Sequence, residues 1–293
     1  MSETTIGILH PGAMGSSLAG AARAGAATVL WASDGRGAQS VARAEAAGLE
    51  DAGTLASLAG RSDVIVSVCP PHAAEALAQT VLATGYSGLF VDANAVAPAR
   101  ARRIAAAVQA AGAGYVDGGI IGPPPERAGT TCLYLSGAEA PKVAQLFQGS
   151  ALAAEALDET PDRASALKMC YAAQTKGLTA LLCAQLAAAE ALGVRDALQA
   201  RWRQEDAEAP ERAIGRVRNV TAKAWRFSGE MEEIAATLQA AGLPDGFHRA
   251  AAEIYGRLAE FKTAADLPEI EAVLEALTAE SSEAARRAAT SGG

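Results

Sequence analysis

Aromatic side chains are scarce in this chain of 293 residues: five Phe, five Tyr and three Trp make up 4% of it. So sparse a set offers no platform on which the bases of a single strand of nucleic acid would stack. Lysine- and arginine-rich runs are also missing, and the formal net charge is −8, which argues for solubility and against nucleic acid as a partner. The three histidines, His10, His72 and His248, are scattered and support no metal site. Four cysteines, Cys69, Cys132, Cys170 and Cys183, stand far apart in apolar contexts without a C-x-x-C pair. They read as buried thiols of a protein in a reducing compartment. No apolar run reaches the ~20 residues that a bilayer needs; the longest, residues 177–189, is interrupted by Gln185. The opening MSETTIGILHPGAMG lacks the basic leader and apolar core of a signal peptide. The expectation is a cytoplasmic protein with no membrane partner.

What is abundant is alanine, within a composition that is 50% hydrophobic and 20% charged. That is ample for packed cores and favours helix. Over the first 150 residues, short apolar runs at 5–9, 27–31, 63–69, 89–92 and 114–117 read as strands. Helix-patterned stretches at 15–24, 37–47, 73–83 and 98–111 lie between them. Such alternation implies a parallel sheet with helices on its faces. Residues 130–136 alternate as one more strand and close the first domain. From Asp162 onward no strand pattern appears. Residues 163–192 read as one helix, with Gly177 its weak point and Gly193 its cap, about 45 Å long at 1.5 Å per residue. Further helices are expected at 210–221, 228–241, 246–261 and 268–289, with a frayed tail at 289–293. The fold class is α/β: a Rossmann-type parallel sheet domain at 1–160, then an all-α domain at 161–293.

The informative segment is residues 7–15, GILHPGAMG, between the first strand and the first helix. A dinucleotide's diphosphate needs a tight turn, a residue without a side chain where backbone meets phosphate, and a free helix N-terminus. Gly12 and Gly15 fill the second and third places of G-x-G-x-x-G, while His10 takes the first; strand, turn and helix stand in the required order. Gly12, Ala13 and Met14 are therefore candidate cofactor contacts. The second strand ends at Trp31 and is followed by Ala32, Ser33, Asp34, Gly35 and Arg36. A carboxylate at that strand's end binds the ribose 2′-hydroxyl of NAD, whereas small polar and arginine groups surround the 2′-phosphate of NADP. Ala32 falls on the acidic position, so Ser33 and Arg36 favour NADP, and Asp34 keeps NAD open.

These residues, with others downstream, resemble the β-hydroxyacid dehydrogenase superfamily, which includes 3-hydroxyisobutyrate and 6-phosphogluconate dehydrogenases and the imine reductases. Residues 11–15 resemble its nucleotide loop, and 63–70, ending in Cys69 and Pro70, its strand and turn over the cofactor. Residues 91–94, with Asn94 last, resemble the segment near the nicotinamide ribose; 116–122 and 129–131 resemble the substrate segment, which brings in Gly119, Ile120 and Ile121. Residues 168–176, 230–234 and 241–244 look like a divergent, 6-phosphogluconate-dehydrogenase-like branch with its own C-terminal domain.

The resemblance implies an NAD(P)-dependent oxidoreductase, a homodimer, and a catalytic lysine on the first turns of the long helix, here Lys168. A lysine there supplies the proton that a developing alkoxide needs, and desolvation lowers its pKa toward neutrality. The family's substrate-segment serine is replaced by Ile121, and the asparagine four residues after the lysine by Ala172. Tyr171 and Lys176, three and eight residues beyond Lys168, are the candidate replacements. Reduction of an imine is the alternative activity, and a cofactor-binding regulator without catalysis a third. Glu230, Glu232 and Glu233 read as a solvated helix face; Trp202, Trp225 and Phe227 read as packing residues or an aromatic wall.

Overall fold

The computed structural model describes residues 4–24, 28–264 and 266–279. Residue 27, expected to open a strand, and residues 280–293, expected to finish the last helix and fray, lie outside that set. The chain forms two compact units, Met1–Tyr171 and Ala172–Gly293.

The first unit runs β1 (Thr5–Ile8), α1 (Ala13–Ala24), β2 (Thr28–Trp31), α2 (Ala38–Ala46), β3 (Glu50–Asp51), α3 (Leu55–Arg61), β4 (Val64–Ser67), α4 (Pro71–Leu82), β5 (Leu89–Asp92), α5 (Pro98–Ala110), β6 (Gly114–Ile121), β7 (Cys132–Ser136), α6 (Ala140–Gln145) and β8 (Ala153–Ala156). The strands form one sheet in the order β3-β2-β1-β4-β5-β6-β7-β8. Every neighbouring pair is parallel except β6 with β7. Strand order reverses direction between β1 and β4, and in sheets of this kind ligands sit at the carboxyl ends of the strands beside that reversal.

Both faces of the sheet are covered, so its central strands are apolar on both sides. Ile6, Ile8, Val64, Val66, Val91 and Val116 face one core with Leu18 of α1 and Val143 of α6. Ile65, Phe90 and Tyr115 face the other with Leu58, Ala78 and Ile104 from α3, α4 and α5. Each fully buried large side chain contributes roughly 1.5–3 kcal/mol. Gly7 sits between Ile6 and Ile8 because α3 lies hard against it: a Cβ there would come within 2.6 Å of Ser62 Oγ and 2.7 Å of Leu58 Cδ2.

The second unit is helical: most of α7 (Arg163–Ala191), then α8 (Arg195–Glu205), α9 (Ala209–Ala240), α10 (Gly246–Arg257), a 3-10 turn Ala259–Thr263 and α11 (Ile270–Thr278). The border between the units falls inside α7. The sequence predicts two helices where α9 is one continuous rod of 32 residues; residues 222–227, AKAWRF, hold no breaker, and Gly229 alone does not end a helix. Gly177, within α7, has Phe247 and His248 of α10 against it, and a Cβ would lie 3.2 Å from His248 Nε2. Glu230 and Glu233 are buried and Glu232 is exposed, which corrects the expected solvated face. Cys183 is the fully buried thiol; Cys170 is exposed, against the expectation that all four are buried. Phe227 meets Tyr255 edge-on and Trp225 lies under Lys262.

Candidate functional site

β1 delivers the chain to a turn at the carboxyl edge of the sheet, and α1 begins immediately beyond it. The turn is closed by the Gly12 amide donating to the His10 carbonyl at 2.9 Å, and the Ser16 amide donates to the Gly12 carbonyl at 2.9 Å. Gly15 has no room for a side chain, because the His10 carbonyl occupies the place of its Cβ. Gly12 differs: nothing lies within 4 Å of where its Cβ would be. Packing therefore requires glycine at 15 but not at 12. Beside the first-turn amides of α1, which have no intrahelical acceptor, the bare face of Gly12 fits a diphosphate. Ala13 is exposed there, while Met14 packs partly against the core. His10 is half-buried, and burial together with the Arg36 charge pushes its imidazole down to about 4, so it is neutral at working pH.

Beyond β2, Ala32 is buried. The Ser33 amide donates to Asp51 Oδ1 at 3.2 Å, as does the Gly53 amide at 2.7 Å; hydrogen bonds, first that from the Ser33 side chain, hold the Asp51 carboxyl below its ordinary value. Arg36 reaches back to donate from Nη2 to the Leu9 carbonyl at 3.0 Å. Its Nε is buried without an acceptor. Sequence reasoning missed Asp51, which meets Ser33 only because β3 pairs with β2.

The turns after β4 and β5 are joined by Asn94, whose Oδ1 accepts the Cys69 amide and whose Nδ2 donates to Ser67 Oγ and Asp92 Oδ1. Asn94 is buried, and its hydrogen bonds brace the Cys69–Pro70 turn from beneath. Burial, then the Asp92 charge, push the Cys69 thiol up to about 12, so it stays protonated. Asp92 is fully buried, and burial first and the Asp117 charge second push it up to about 7. The folded protein thus holds this proton more tightly than the unfolded chain. Its stabilising contribution is full below the ordinary carboxyl range and lost as pH rises through about 7. Asp92 Oδ2 and the Tyr115 hydroxyl are buried without well-aligned hydrogen-bond partners, so an amide at 92 keeps the bonds to Asn94 and offers N–H toward Tyr115. We expect Asp92→Asn to melt about 4 °C or more above the parent at pH 8, with the gap narrowing toward pH 5. Thermal melts across that range check this.

β6 carries the chain past β5 and on to Ile121. Its alternation sets Asp117, Gly119 and Ile121 on one face and Gly118 and Ile120 on the other. Gly119 is the point of closest approach to α7, where a Cβ would lie 2.5 Å from the Ala164 carbonyl oxygen and 3.1 Å from Lys168 Cβ. Lys168, half-buried, therefore stands beside the end of β6 at the same sheet edge as the Gly12 turn. Tyr171, one turn on, is exposed, and Ile121 is half-buried. One expected substrate residue is not brought to this place. Ile120 turns into the core with Leu133 and Leu135. Lys176 lies in the second unit, paired with Glu230 and 4.2 Å above the Phe227 ring. Among the described residues no group of three or more His, Cys, Asp or Glu is placed to hold a metal, and no helix is long and apolar enough to cross a membrane.

Residues 5–153 match the sequence model of a family described as the NAD binding domain of 6-phosphogluconate dehydrogenase. Residues 189–258 match a domain of unknown function, DUF1932. No curated protein matches the chain. Among solved structures, a conserved hypothetical protein from Sinorhizobium meliloti is 26% identical, with 94% of this chain and 96% of that one covered and a TM-score of 0.66. A 3-hydroxyisobutyrate dehydrogenase of Mycobacterium tuberculosis, solved with L-serine, is 19% identical over 95% of this chain and 100% of that one, TM-score 0.65. A reductive aminase of Aspergillus terreus, in complex with NADPH4, cyclohexanone and allyl amine, is 17% identical over 94% and 99%, TM-score 0.55. The last two likenesses are of fold: a Rossmann-like domain followed by a helical one.

Proposed function

The chain belongs to the family of the NAD-binding domain of 6-phosphogluconate dehydrogenase, and on that premise we propose that it is an NAD(P)-dependent oxidoreductase acting on a small polar hydroxy or carbonyl substrate, with Lys168 as its acid–base group. The observation that carries this reading is the juxtaposition, within the first unit, of the open Gly12 turn and Lys168 at one edge of the sheet. A dinucleotide bound there supplies or accepts the hydride. Gly12 and the amides of Ala13 and Met14 hold its diphosphate, and the Cys69–Pro70 turn, braced by Asn94, flanks it. Lys168 holds a proton at Nζ and gives it to the substrate oxygen as the carbonyl carbon is reduced; in the oxidative direction it takes the hydroxyl proton. Tyr171 is a second donor within the same helical turns, and Gly119 and Ile121 border the substrate. Ile120, turned into the core, drops out of that set, and Lys176 is kept as a substrate contact of the second unit.

NADP is the preferred cofactor in this reading. Ala32 offers no carboxylate to a ribose hydroxyl, and the buried, unpartnered Nε of Arg36 is a donor suited to phosphate. Ser33 is already engaged by Asp51, so Arg36 carries the discrimination. Imine reduction is the second reading, favoured by Ile121, an apolar residue on the face of β6 that meets α7. A cytoplasmic homodimer belongs to the same proposal, with the helical second domain serving substrate binding and dimerisation. Leu178, Leu181 and Leu192 are about half or more exposed along and just beyond α7, an apolar stripe suited to a second copy; light scattering that returns a monomer refutes the dimer.

Fluorescence titration with NADPH and NADH, followed by a panel of 3-hydroxy acids, carbonyls and cyclic imines, tests the activity. Binding without turnover of any of them overturns the enzyme in favour of a regulator. Gly12→Ala is expected to weaken NADPH binding by about tenfold or more, the methyl group occupying the phosphate's place. Its melting temperature without cofactor stays that of the parent, because no protein atom meets the new Cβ.

A further inference from the structure

Diphosphate binding and proton transfer leave unexplained a line of polar side chains through the sheet. Ser67, Asp92, Asp117 and Ser136 stand opposite one another in register on β4, β5, β6 and β7, and each is fully buried. Burying a carboxylate is costly unless its hydrogen bonds are met. Asp117 and Ser136 are the members that bond to α7, Asp117 with both carboxylate oxygens. Its Oδ2 accepts the Ser165 amide at 2.7 Å, and its Oδ1 accepts the Ser165 hydroxyl at 2.6 Å. Ser136 donates to Asp117 Oδ2 at 3.3 Å while its own oxygen accepts the Ala164 amide at 3.0 Å.

Two of the first amides of α7, which begins at Arg163, are therefore taken by side chains that arrive from β6 and β7. An anion at a helix N-terminus is favourable in charge as well as geometry. The clamp sits one turn before Lys168. On the same face of β6, two residues past Asp117, bare Gly119 lets α7 approach until Lys168 Cβ is 3.1 Å from the place of the missing methyl. Neither Ile121 nor Ala172 carries a polar side-chain group that would orient Lys168, so where its Cβ stands depends on how the helix is seated.

We propose that Asp117 is the positioning residue of the reaction: its carboxylate, with Ser136 and Ser165, seats the first turn of α7 on the sheet and thereby places Lys168 at the reacting atoms. The inference rests on the reading of Lys168 given above. It adds that a residue with no reach to the substrate controls the chemical step, because a displacement of about 1 Å at a reacting group costs on the order of a hundredfold in rate.

The test compares Asp117→Asn and Ser165→Ala with Lys168→Ala in the full-length protein. One readout is kcat and KM with NADPH and whichever substrate of the panel turns over. The other needs neither substrate nor cofactor: the rate at which acetic anhydride acetylates Lys168, read by peptide mass spectrometry against exposed Lys142 as internal reference. Asp117→Asn is expected to lower kcat by about thirtyfold and Ser165→Ala by about tenfold, with KM and the NADPH dissociation constant changing by no more than about threefold. In both, the Lys168 acetylation rate should shift by about threefold or more relative to Lys142. A purely structural role would lower stability and leave both readouts unmoved in the molecules that fold. Should Asp117→Asn fail to fold, Ser165→Ala carries the test. Parental kcat and parental Lys168 reactivity in the variant that folds, beside an inactive Lys168→Ala, overturn the clamp. A fully active Lys168→Ala overturns the acid–base reading instead, and the acetylation rates still decide whether Asp117 seats the lysine.

Discussion

Lys168→Ala lowers kcat by about 10²- to 10⁴-fold, the range that general acid–base catalysis spans, while NADPH binds as tightly as to the parent. The split follows from where the residue stands. Lys168 is on α7 beside Gly119, whereas the candidate diphosphate site is the turn between β1 and α1, three strands away in the order β1-β4-β5-β6. Removing the ammonium leaves the developing alkoxide without its proton donor and leaves the phosphate site intact. Lys168→Arg should also be slow, because a guanidinium does not release its proton in this pH range. Stopped-flow measurement of hydride transfer, with a separate fluorescence titration of NADPH, resolves the two steps. Weaker NADPH binding with an unchanged rate of hydride transfer would mean that the lysine serves binding alone.

Gly119→Ala should disturb both the seating of α7 and the chemical step. Its Cβ would enter to 2.5 Å from the Ala164 carbonyl oxygen and 3.1 Å from Lys168 Cβ, closer than any relaxed contact. The obstacle at Ala164 is helix backbone, which cannot swing aside as a side chain does. Either α7 lifts from β6, breaking the Ser165 and Ala164 bonds, or β6 bends. Overpacking in a well-filled interior costs about 1–3 kcal/mol, and the broken bonds to buried groups add to it. The expected result is a melting temperature lower by about 5 °C or more, together with a kcat loss of about a hundredfold. Gly118→Ala, on the opposite face, is the informative contrast: its nearest neighbours, Ala93 Cα and Cβ, lie 3.2 Å away and none belongs to α7, so the lysine should keep its place. Calorimetry on the two variants separates them.

Much of the first unit could be read from the chain because its strands are short apolar runs ended by turn residues. β5 is a case in point: Leu89–Asp92 is bounded by Gly88 and by Pro98 of the next helix. β3 and β8 escaped for a physical reason. Glu50–Asp51 is two charged residues, and Ala153–Ala156 has no β-branched side chain; each is a strand only because a neighbour's edge accepts it. α8 escaped because its face is mostly charged, leaving no apolar period to follow. At the site, the Gly12 turn was legible because a turn between strand and helix is local, whereas Lys168 was singled out by the family resemblance alone. The Asp117 bonds were not legible, since Ser165 is 48 residues away. Asp117 nevertheless begins the very segment that resembles the substrate loop, a signal that was visible without its meaning. Lys176, which helical spacing put near Lys168 in projection, is paired with Glu230, 54 residues on, a partner that spacing could not reveal.

The border between the two units lies in the middle of a single helix, and this has a consequence for how such proteins diversify. A loop between modules tolerates gain or loss of residues, but α7 offers none. One residue inserted between Tyr171 and Ala172 would turn everything downstream by about 100° about the helix axis. Gly177 would keep its place under the His248 ring, because both lie downstream of the insertion. Shuffling of the helical half onto another nucleotide-binding half must therefore splice helix to helix. An exchange at this border succeeds only where both ends continue α7, since no loop separates the two units there.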